Sequence, residues 1–410
     1  MNKKLEAYFG LPSEVKFCKK CVISNQRPSS TIEFKHTKNE KKKVIDFDDE
    51  GVCSACRYHE EEKEKNIDWE EREKALIKLL DKFRSKDGSY DVIVPGSGGK
   101  DSAYTAHILK YKYGMNPLTV TWAPHLYTDI GWKNMQNWMH VGGLDNILYT
   151  PNGILHREMT KNAFHNLLHP FQPFIVGQRI IGPAMAKKFG VKLVMYGENQ
   201  AEYGNDIKEN KNPIMKMDFF SVDNPLEMKF GGVTMKEYID SGKYSIDDFA
   251  PYIAPKKEDL IKAGVEVHYL GYYLKWDPQE CYYYAVDNTG FEANPVRTEG
   301  TYSRYSSIDD KIDPFHYYTT LIKFGIGRAT YDAAQEIRNG KITREEGVYL
   351  VEKYDREFPA KYFKEFLEYI DTTEEEFWNT IDKFRSPHLW KKVNGEWKLR
   401  HTVGGNGTDD

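Results

Sequence analysis

Val92-Ile93-Val94-Pro95-Gly96-Ser97-Gly98-Gly99-Lys100-Asp101-Ser102 is the stretch whose reading decides the fold of this chain. A short β-branched run ends in a glycine-rich turn, and Ala103 to Tyr113 then carry apolar residues at helical spacing. Strand, tight turn and helix N-terminus in that order build an anion site. Glycines let the backbone approach an oxyanion closely, and the unpaired N–H groups of the first helical turn point at it. Gly96, Ser97, Gly98 and Gly99 form the cradle in this reading. Ser97 and Ser102 add hydroxyl donors, Lys100 adds a positive charge, and Asp101 offers a carboxylate that can hold a magnesium ion against phosphates. No G-x-x-x-x-G-K-[ST] can be laid over the stretch, so it is not a Walker A loop. A plain Gly-Ser turn between strand and helix is the bland alternative; two adjacent glycines followed by Lys-Asp-Ser weigh against it.

Ser97-Gly98-Gly99-Lys100-Asp101-Ser102 resembles the S-G-G-x-D-S loop of the PP-loop ATP pyrophosphatases, which split ATP into AMP and pyrophosphate. That resemblance implies ATP and Mg2+ as cofactors and an α/β fold, a parallel sheet of the adenine nucleotide alpha hydrolase type.

Around the loop, the chain from Tyr90 to about Lys275 alternates as an α/β layer should. Strands are expected at Val92–Val94, Leu118–Trp122, Asn146–Tyr149, Lys192–Tyr196 and, late, within Val265–Leu274. Helices are expected at Trp132–Val141, Ile154–Leu168 and Val176–Phe189. Parallel sheets bind ligands at the carboxyl ends of their strands. Three segments therefore converge there: the loop, Trp122-Ala123-Pro124, and Gly197-Glu198-Asn199-Gln200-Ala201-Glu202-Tyr203. Trp122 is counted with the nucleotide site and Glu198 with catalysis, since PP-loop relatives commonly place an acidic residue near this position. Glu202 and Tyr203 are candidates for touching the acceptor. An ordinary polar turn remains the other reading of this segment.

Before the loop, Cys18-x-x-Cys21 and Cys53-x-x-Cys56 are separated by 31 residues. Two such knuckles supply four thiolates for tetrahedral zinc and leave no open coordination position, so the zinc would be structural. A redox dithiol or unrelated thiols are the competing readings. Residues 30–34 and 44–47 alternate as a β-hairpin, with the basic run at Lys41 to Lys43 as a solvated turn. So few apolar residues lie here that a metal staple makes physical sense. Tyr58 to Arg84 reads as a charged helical bridge with Leu76, Leu79, Leu80 and Phe83 as its apolar stripe.

From Asp277 the composition turns helical and aromatic, and Asp371-Thr372-Thr373-Glu374 supply cap residues for a last helix to about Phe384. Arg328, after Phe324-Gly325-Ile326-Gly327, either grips a carboxylate or phosphate of the substrate or pairs within its own helix. The division this suggests is a zinc-ribbon-like module at 1–62, the ATP-binding α/β domain at 63–276, a helical substrate or partner region at 277–403 and a disordered tail at 404–410.

A chain of 410 residues has ample core for two or three domains. A net charge of −4 argues against a surface devoted to nucleic acid. No apolar run reaches the ~20 residues that span a bilayer, and the first residues lack the apolar core of a signal peptide. Four of the five cysteines sit in C-x-x-C pairs, which points to the cytoplasm rather than to a disulfide framework.

Between Cys56 and Cys281 there is no cysteine, which weighs against sulfur transfer and for ammonia as the nucleophile. The pattern over nearly the full length resembles the N-acetyl sugar amidotransferases of surface-polysaccharide and flagellin-glycan biosynthesis. The cysteine pairs, the loop, Tyr196-Gly197-Glu198-Asn199, Lys323 to Arg328 and Glu336 to Gly340 carry that resemblance. It implies conversion of a sugar's N-acetyl group to an acetamidino group with ATP, on acceptors such as pseudaminic or legionaminic acid types or nucleotide-linked N-acetylhexosamines. Ammonia would come from a separate glutaminase subunit with a cyclase-like channelling subunit, similar to the imidazole-glycerol-phosphate synthase pair. Two other readings stay open: a tRNA-modifying PP-loop enzyme whose zinc ribbon grips RNA, and a nucleotide-binding scaffold that does not turn ATP over.

Overall fold

The computed structural model describes residues 5–29, 33–63, 67–198 and 211–405. At its centre is a parallel sheet of five strands: β1 (Val92–Pro95), β2 (Pro117–Trp122), β3 (Asp145–Tyr149), β4 (Leu193–Tyr196) and, after a short β5–β6 hairpin (Lys229–Phe230 and Val233–Thr234), β7 (Glu266–Tyr269). Their order is β3-β2-β1-β4-β7. Ile93 lies beside Leu118 on one side and Val194 on the other. Every residue of β1 is buried, the signature of a parallel strand covered on both faces.

Alternation along β1 divides the core. Val92 and Val94 face a layer made by α2 (Trp69–Phe83), α3 (Lys100–Tyr111), α4 (Asp129–His140) and, farther along the chain, Cys281 and Ala285. Ile93 faces the other layer, from α5 (Gly153–Leu167) and α6 (Gln172–Phe189). The insertion before β7 adds α7 (Met235–Asp240) and aromatic residues Phe230, Phe249 and Tyr252 to that second layer. Because β2 and β3 run outward on one side of β1 while β4 and β7 lie on the other, the strand order switches between β1 and β4. The loop leaves β1 there, and Gly197-Glu198 leave β4 there. A crevice at such a switch is where open α/β sheets take ligands.

The late strand is shorter than expected. After α8 (Lys257–Ala263) the strand stops at Tyr269, and one helical turn, α9 (Leu270–Tyr273), follows with Gly271 N–H on Gly197 O at 2.8 Å. Next come α10 (Pro278–Thr289), α11 (Asp313–Phe324), α12 (Arg328–Arg338), α13 (Arg344–Tyr354), α14 (Phe363–Tyr369) and α15 (Glu374–Lys383). Thr343 and Thr373 each close a capping box, the second at the cap the sequence indicates. A terminal hairpin, β8 (Trp390–Val393) with β9 (Glu396–Leu399), turns on Asn394-Gly395, both at positive φ, an Asn-Gly hairpin signal that the sequence reading left unused.

The N-terminal module, which ends in α1 (Ser54–Lys63), holds no sheet among its described residues. Among the described residues the hairpin expected between 30–34 and 44–47 is not seen: a single bridge joins Pro28 to Val44, and Glu33–Lys35 make a 3-10 turn. Ser30, Thr31 and Ile32 lie outside the described residues. The cause is tertiary. Phe34 is buried in the α/β core, and Glu33 turns to His36 and His169, so these side chains serve other elements instead of a ladder. Nor is the basic run wholly solvated. Lys42 is 7% exposed, with Nζ 2.7 Å from His36 Nε2 and 2.9 Å from Glu40 Oε2. The module shares one core with α11 to α15, where Val22, Ile23 and the four thiols pack with Ile326 and Val351. No described helix is long and apolar enough to cross a membrane.

Candidate active site

Helix α3 begins at Lys100, which places Lys100, Asp101 and Ser102 in its first turn, and Gly99 caps it without any side-chain bond. The first-turn N–H groups are therefore not taken up by a capping side chain, as an anion site requires. Gly98 has φ +81°, and a Cβ there would lie 2.9 Å from Asn134 O. A Cβ on Gly96 would fall 2.1 Å from Ser102 Cβ. Both glycines are demanded by the backbone path. Ser102 Oγ donates to Gly99 O at 3.0 Å, and Ser97 Oγ donates to Asp309 Oδ2 at 2.8 Å.

Asp101 faces two ways. Its Oδ2 accepts from Lys100 Nζ, while its Oδ1 is buried with no hydrogen-bond partner. Lys100 does not lie on the wall of the main cavity: its side chain runs to Asp101 and over Tyr305, and lines a separate cavity of about 40 Å³. Gly98 likewise supports the loop from behind. Gly96, Ser97, Gly99, Asp101, Ser102, Trp122 and Glu198 line a cavity of about 640 Å³. Trp122 is buried, stacks on Tyr149 with centroids 5.9 Å apart, and presses on Gly177, where a Cβ would lie 2.1 Å from the indole. Glu202 and Tyr203 fall outside the described residues.

Much of the rest of that cavity wall comes from the module, from α6 with Phe174, Gln178 and Arg179, and from the segment around α11–α12, and the sequence reading missed most of it. Arg27, Glu33, His36 and Lys42 come from the module; Asp309, Asp313, His316, Lys323 and Arg328 come from the C-terminal region; His169 comes from the end of α5. Of these, the sequence reading singles out Arg328; the run of carboxylates at Asp309, Asp310 and Asp313 is a signal it left unused, and the other basic and histidine residues are scattered too widely to be grouped by spacing.

Burial sets the electrostatics. Asp309 is pushed up by burial and by Asp310, partly answered by the Ser97 hydroxyl. Asp313 is pushed up to about 7 by burial, with Arg328 pulling the other way. Burial also brings Lys323 down to about 7, helped by Lys42; its Nζ donates to Leu167 O at 2.7 Å. Burial opposes the charge of Glu33, yet His169 and His36 together hold its carboxyl well below the usual range. Arg328 follows the reading in which it pairs within its own helix, and it stands on the cavity wall as well. Its Nε pairs with Asp332 Oδ1 at 3.0 Å within α12, its guanidinium lies 4.4 Å over the Tyr317 ring, and it also lines the cavity.

The four N-terminal thiols form a separate buried cluster. Cys18 Sγ is 4.0 Å from Cys56 Sγ, and Cys21 Sγ is 3.8 Å from Cys53 Sγ. Four sulfurs around a zinc with bonds of about 2.3 Å stand roughly 3.8 Å apart, so the set fits tetrahedral zinc, whereas a disulfide needs about 2 Å. Backbone N–H groups of Lys20 and Cys53 both reach Cys18 Sγ at 3.4 Å. The neighbouring thiols and the Cys53 N–H hold the Cys18 thiol down. Cys281, on the face of α10 that packs in the α3 layer, is pushed up by burial and stays a core thiol.

Residues 299–403 match the family described as LPS biosynthesis protein WbpG-like, C-terminal domain. None of the curated proteins matches the chain. Among solved structures, it is similar to NMN synthetase from Francisella tularensis at 13% identity and a TM-score of 0.30, over 76% of this chain and 96% of that one. It is similar to U34-tRNA thiolase NcsA from Methanococcus maripaludis at 14% identity and a TM-score of 0.30, over 82% and 88%. A third similarity is to an NH3-dependent NAD synthetase from Campylobacter jejuni, at 13% identity and a TM-score of 0.27, over 48% and 92%.

Proposed function

We propose that this chain is an ATP-dependent amidotransferase of surface-glycan biosynthesis, converting the N-acetyl group of a sugar into an acetamidino group. One observation carries the reading. The segment that matches the LPS-biosynthesis domain supplies Asp309, Asp313, Lys323 and Arg328 to the same cavity that the glycine loop lines. A nucleotide loop and a glycan-biosynthesis domain thus share one chamber.

The chemistry follows from the groups present. ATP's phosphates rest on the loop N–H groups and the Ser97 and Ser102 hydroxyls. The orphaned Asp101 Oδ1, with Asp309 beside the loop, would hold a magnesium ion, which would offset phosphate charge there. The acetamido oxygen attacks the α-phosphorus, pyrophosphate leaves, and an imidoyl adenylate remains. Ammonia adds to its carbon, the C–O bond to AMP breaks, and the amidine is left. Fixed donors around the α-phosphate stabilise the charge that develops. Arg27, Lys42, Lys323 and Arg328 suit an acceptor that carries a carboxylate or phosphate. No cysteine lines the chamber among the described residues, which supports amination over sulfur transfer. Ammonia is supplied by a separate glutaminase with a channelling subunit.

The test uses the full chain with ATP, magnesium, ammonium and a panel of N-acetylated acidic and nucleotide-linked sugars. AMP and pyrophosphate should form together with a product one mass unit lighter, oxygen having been replaced by NH. If no member of the panel elicits AMP, or if AMP appears only with RNA, the reading is wrong.

A further inference from the structure

We infer that Glu33, His36 and His169 form a second metal site in the wall of the main cavity, for a divalent ion of the zinc, cobalt and nickel kind. Glu33 Oε2 lies 3.0 Å from His36 Nδ1 and 3.6 Å from His169 Nε2. The three ligand atoms are all within 4.8 Å of one another. Ligands bound at about 2.0–2.2 Å stand roughly 3–3.5 Å apart around such an ion, so closing this set asks for shifts on the order of 1 Å.

The arrangement is built from two distant segments. Glu33 and His36 sit three apart across one 3-10 turn, which turns both side chains the same way. His169 follows α5 through Leu168, a non-glycine residue at φ 46°, and its ring stacks on His316 with centroids 5.0 Å apart. A left-handed leucine costs about 1 kcal/mol or more, and the turn it makes delivers His169 beside Glu33.

Donor chemistry names the ion. Two imidazoles and one carboxylate, with no thiolate, suit zinc, cobalt, nickel or ferrous iron, while magnesium and calcium take oxygen sets. All three ligands line the chamber, so the remaining coordination positions face into it, open to an oxygen of a bound acceptor. Glu33 is 5% and His36 3% exposed, and a buried carboxylate demands compensating charge.

In the metal-free chain that compensation is a hydrogen-bonded chain. Lys42 Nζ reaches His36 Nε2 at 2.7 Å, and the ring then donates from Nδ1 to Glu33. Metal at Nδ1 leaves the ring hydrogen on Nε2, donor against donor with the Lys42 ammonium, whose charge also repels the ion. Lys42 is therefore the competitor of the ion, and removing its charge should favour uptake. A cluster that only satisfies a buried glutamate would respond in the opposite sense.

The experiment takes the full chain with its cysteine site already filled with zinc and adds cobalt. A second equivalent should bind, with weak d–d absorption and no thiolate charge transfer. His169→Ala should lose that equivalent and keep its zinc. Lys42→Met should bind it at least about tenfold more tightly, since a like charge a few ångströms from the ion is gone. Crystals of the unaltered chain soaked in cobalt should show anomalous density between Glu33 and His169. Uptake that ends at the cysteine site, full uptake by His169→Ala, weaker uptake by Lys42→Met, or soaked crystals without that density each overturn the site.

Discussion

Ser97 Oγ donates to Asp309 Oδ2 across 2.8 Å, joining the glycine loop to a residue 212 positions later. The bond turns a loop hydroxyl toward a half-buried carboxylate where an incoming phosphate would also claim it. Asp309 is pushed up by burial and by Asp310, so its charge is poorly tolerated until a cation arrives. Asp309→Asn keeps an acceptor for Ser97 and deletes the charge. We expect ATP without magnesium to bind this variant about tenfold more tightly, one unit charge near phosphates being worth about 1.4 kcal/mol or more. Magnesium-ATP should bind less tightly than in the parent. Titrations with and without a chelator measure both, and equal shifts in the two would show that Asp309 does not face the phosphates.

Asp101 carries the cleaner catalytic prediction. Its Oδ1 is buried without a partner, and its Oδ2 holds Lys100. Asp101→Ala should lower pyrophosphate release by on the order of 10²–10³-fold, the usual loss when one charge-stabilising group is removed. The unfolding temperature should stay close to that of the parent, since α3 keeps its cap at Gly99. Undiminished pyrophosphate release would take Asp101 out of the reaction.

How much of this was legible in the sequence depended on whether the signal was local. The loop was legible because strand, glycines and helix start are contiguous, and the sheet order places them at the switch between β1 and β4. The cysteine cluster was legible because spacing alone brings four sulfurs together. Glu33, His169 and Lys323 were not: they lie on three segments, and nothing in any one of them marks the others. Phe34 and Lys42 misled the reading for the same reason. Local alternation suggested a hairpin with a wet basic turn, while the partners that bury both residues stand elsewhere in the chain. Lys100 shows the limit of a motif: its place in the chain was right, and its side chain runs to Asp101 and a separate small cavity.

The cysteine cluster supports the cavity from a distance. Arg344 of α13 donates to the carbonyls of Cys21 and Cys18 at 3.1 and 3.3 Å, and the thiols pack into the core shared with the C-terminal helices. The same module carries Arg27, Glu33 and Lys42 to the cavity wall. Cys53→Ser should release zinc, whose binding is worth on the order of 10 kcal/mol in small zinc-folded units, and loosen that wall. Limited proteolysis should then cut the module first, while ATP binding at the loop changes little because β1, α3 and β4 form a core of their own. A variant with full zinc and parental protease resistance would show that the thiols hold no metal.

Asp355 makes the stability depend on pH in a direction opposite to ordinary salt-bridged carboxylates. It accepts from Gly327 N at 2.8 Å, Thr330 N at 2.9 Å and Thr330 Oγ1 at 2.8 Å, so it caps the helix that presents Arg328. Burial nevertheless pushes it up from 3.8 to about 6, with those donors pulling the other way. Between these values the folded chain holds a proton that the unfolded chain has lost. Stability from this group therefore falls as pH rises through the window, and the penalty is complete above about 6. A shift of roughly two units corresponds to about 3 kcal/mol as an order of magnitude. Asp355→Asn removes the titration and keeps an acceptor for the helix start. Urea unfolding of both proteins at a series of pH values across the window isolates the effect, because every other group cancels in the difference. The parent should lose stability relative to Asp355→Asn as pH rises, and a difference that stays flat would mean that the carboxylate titrates alike in the folded and unfolded chains.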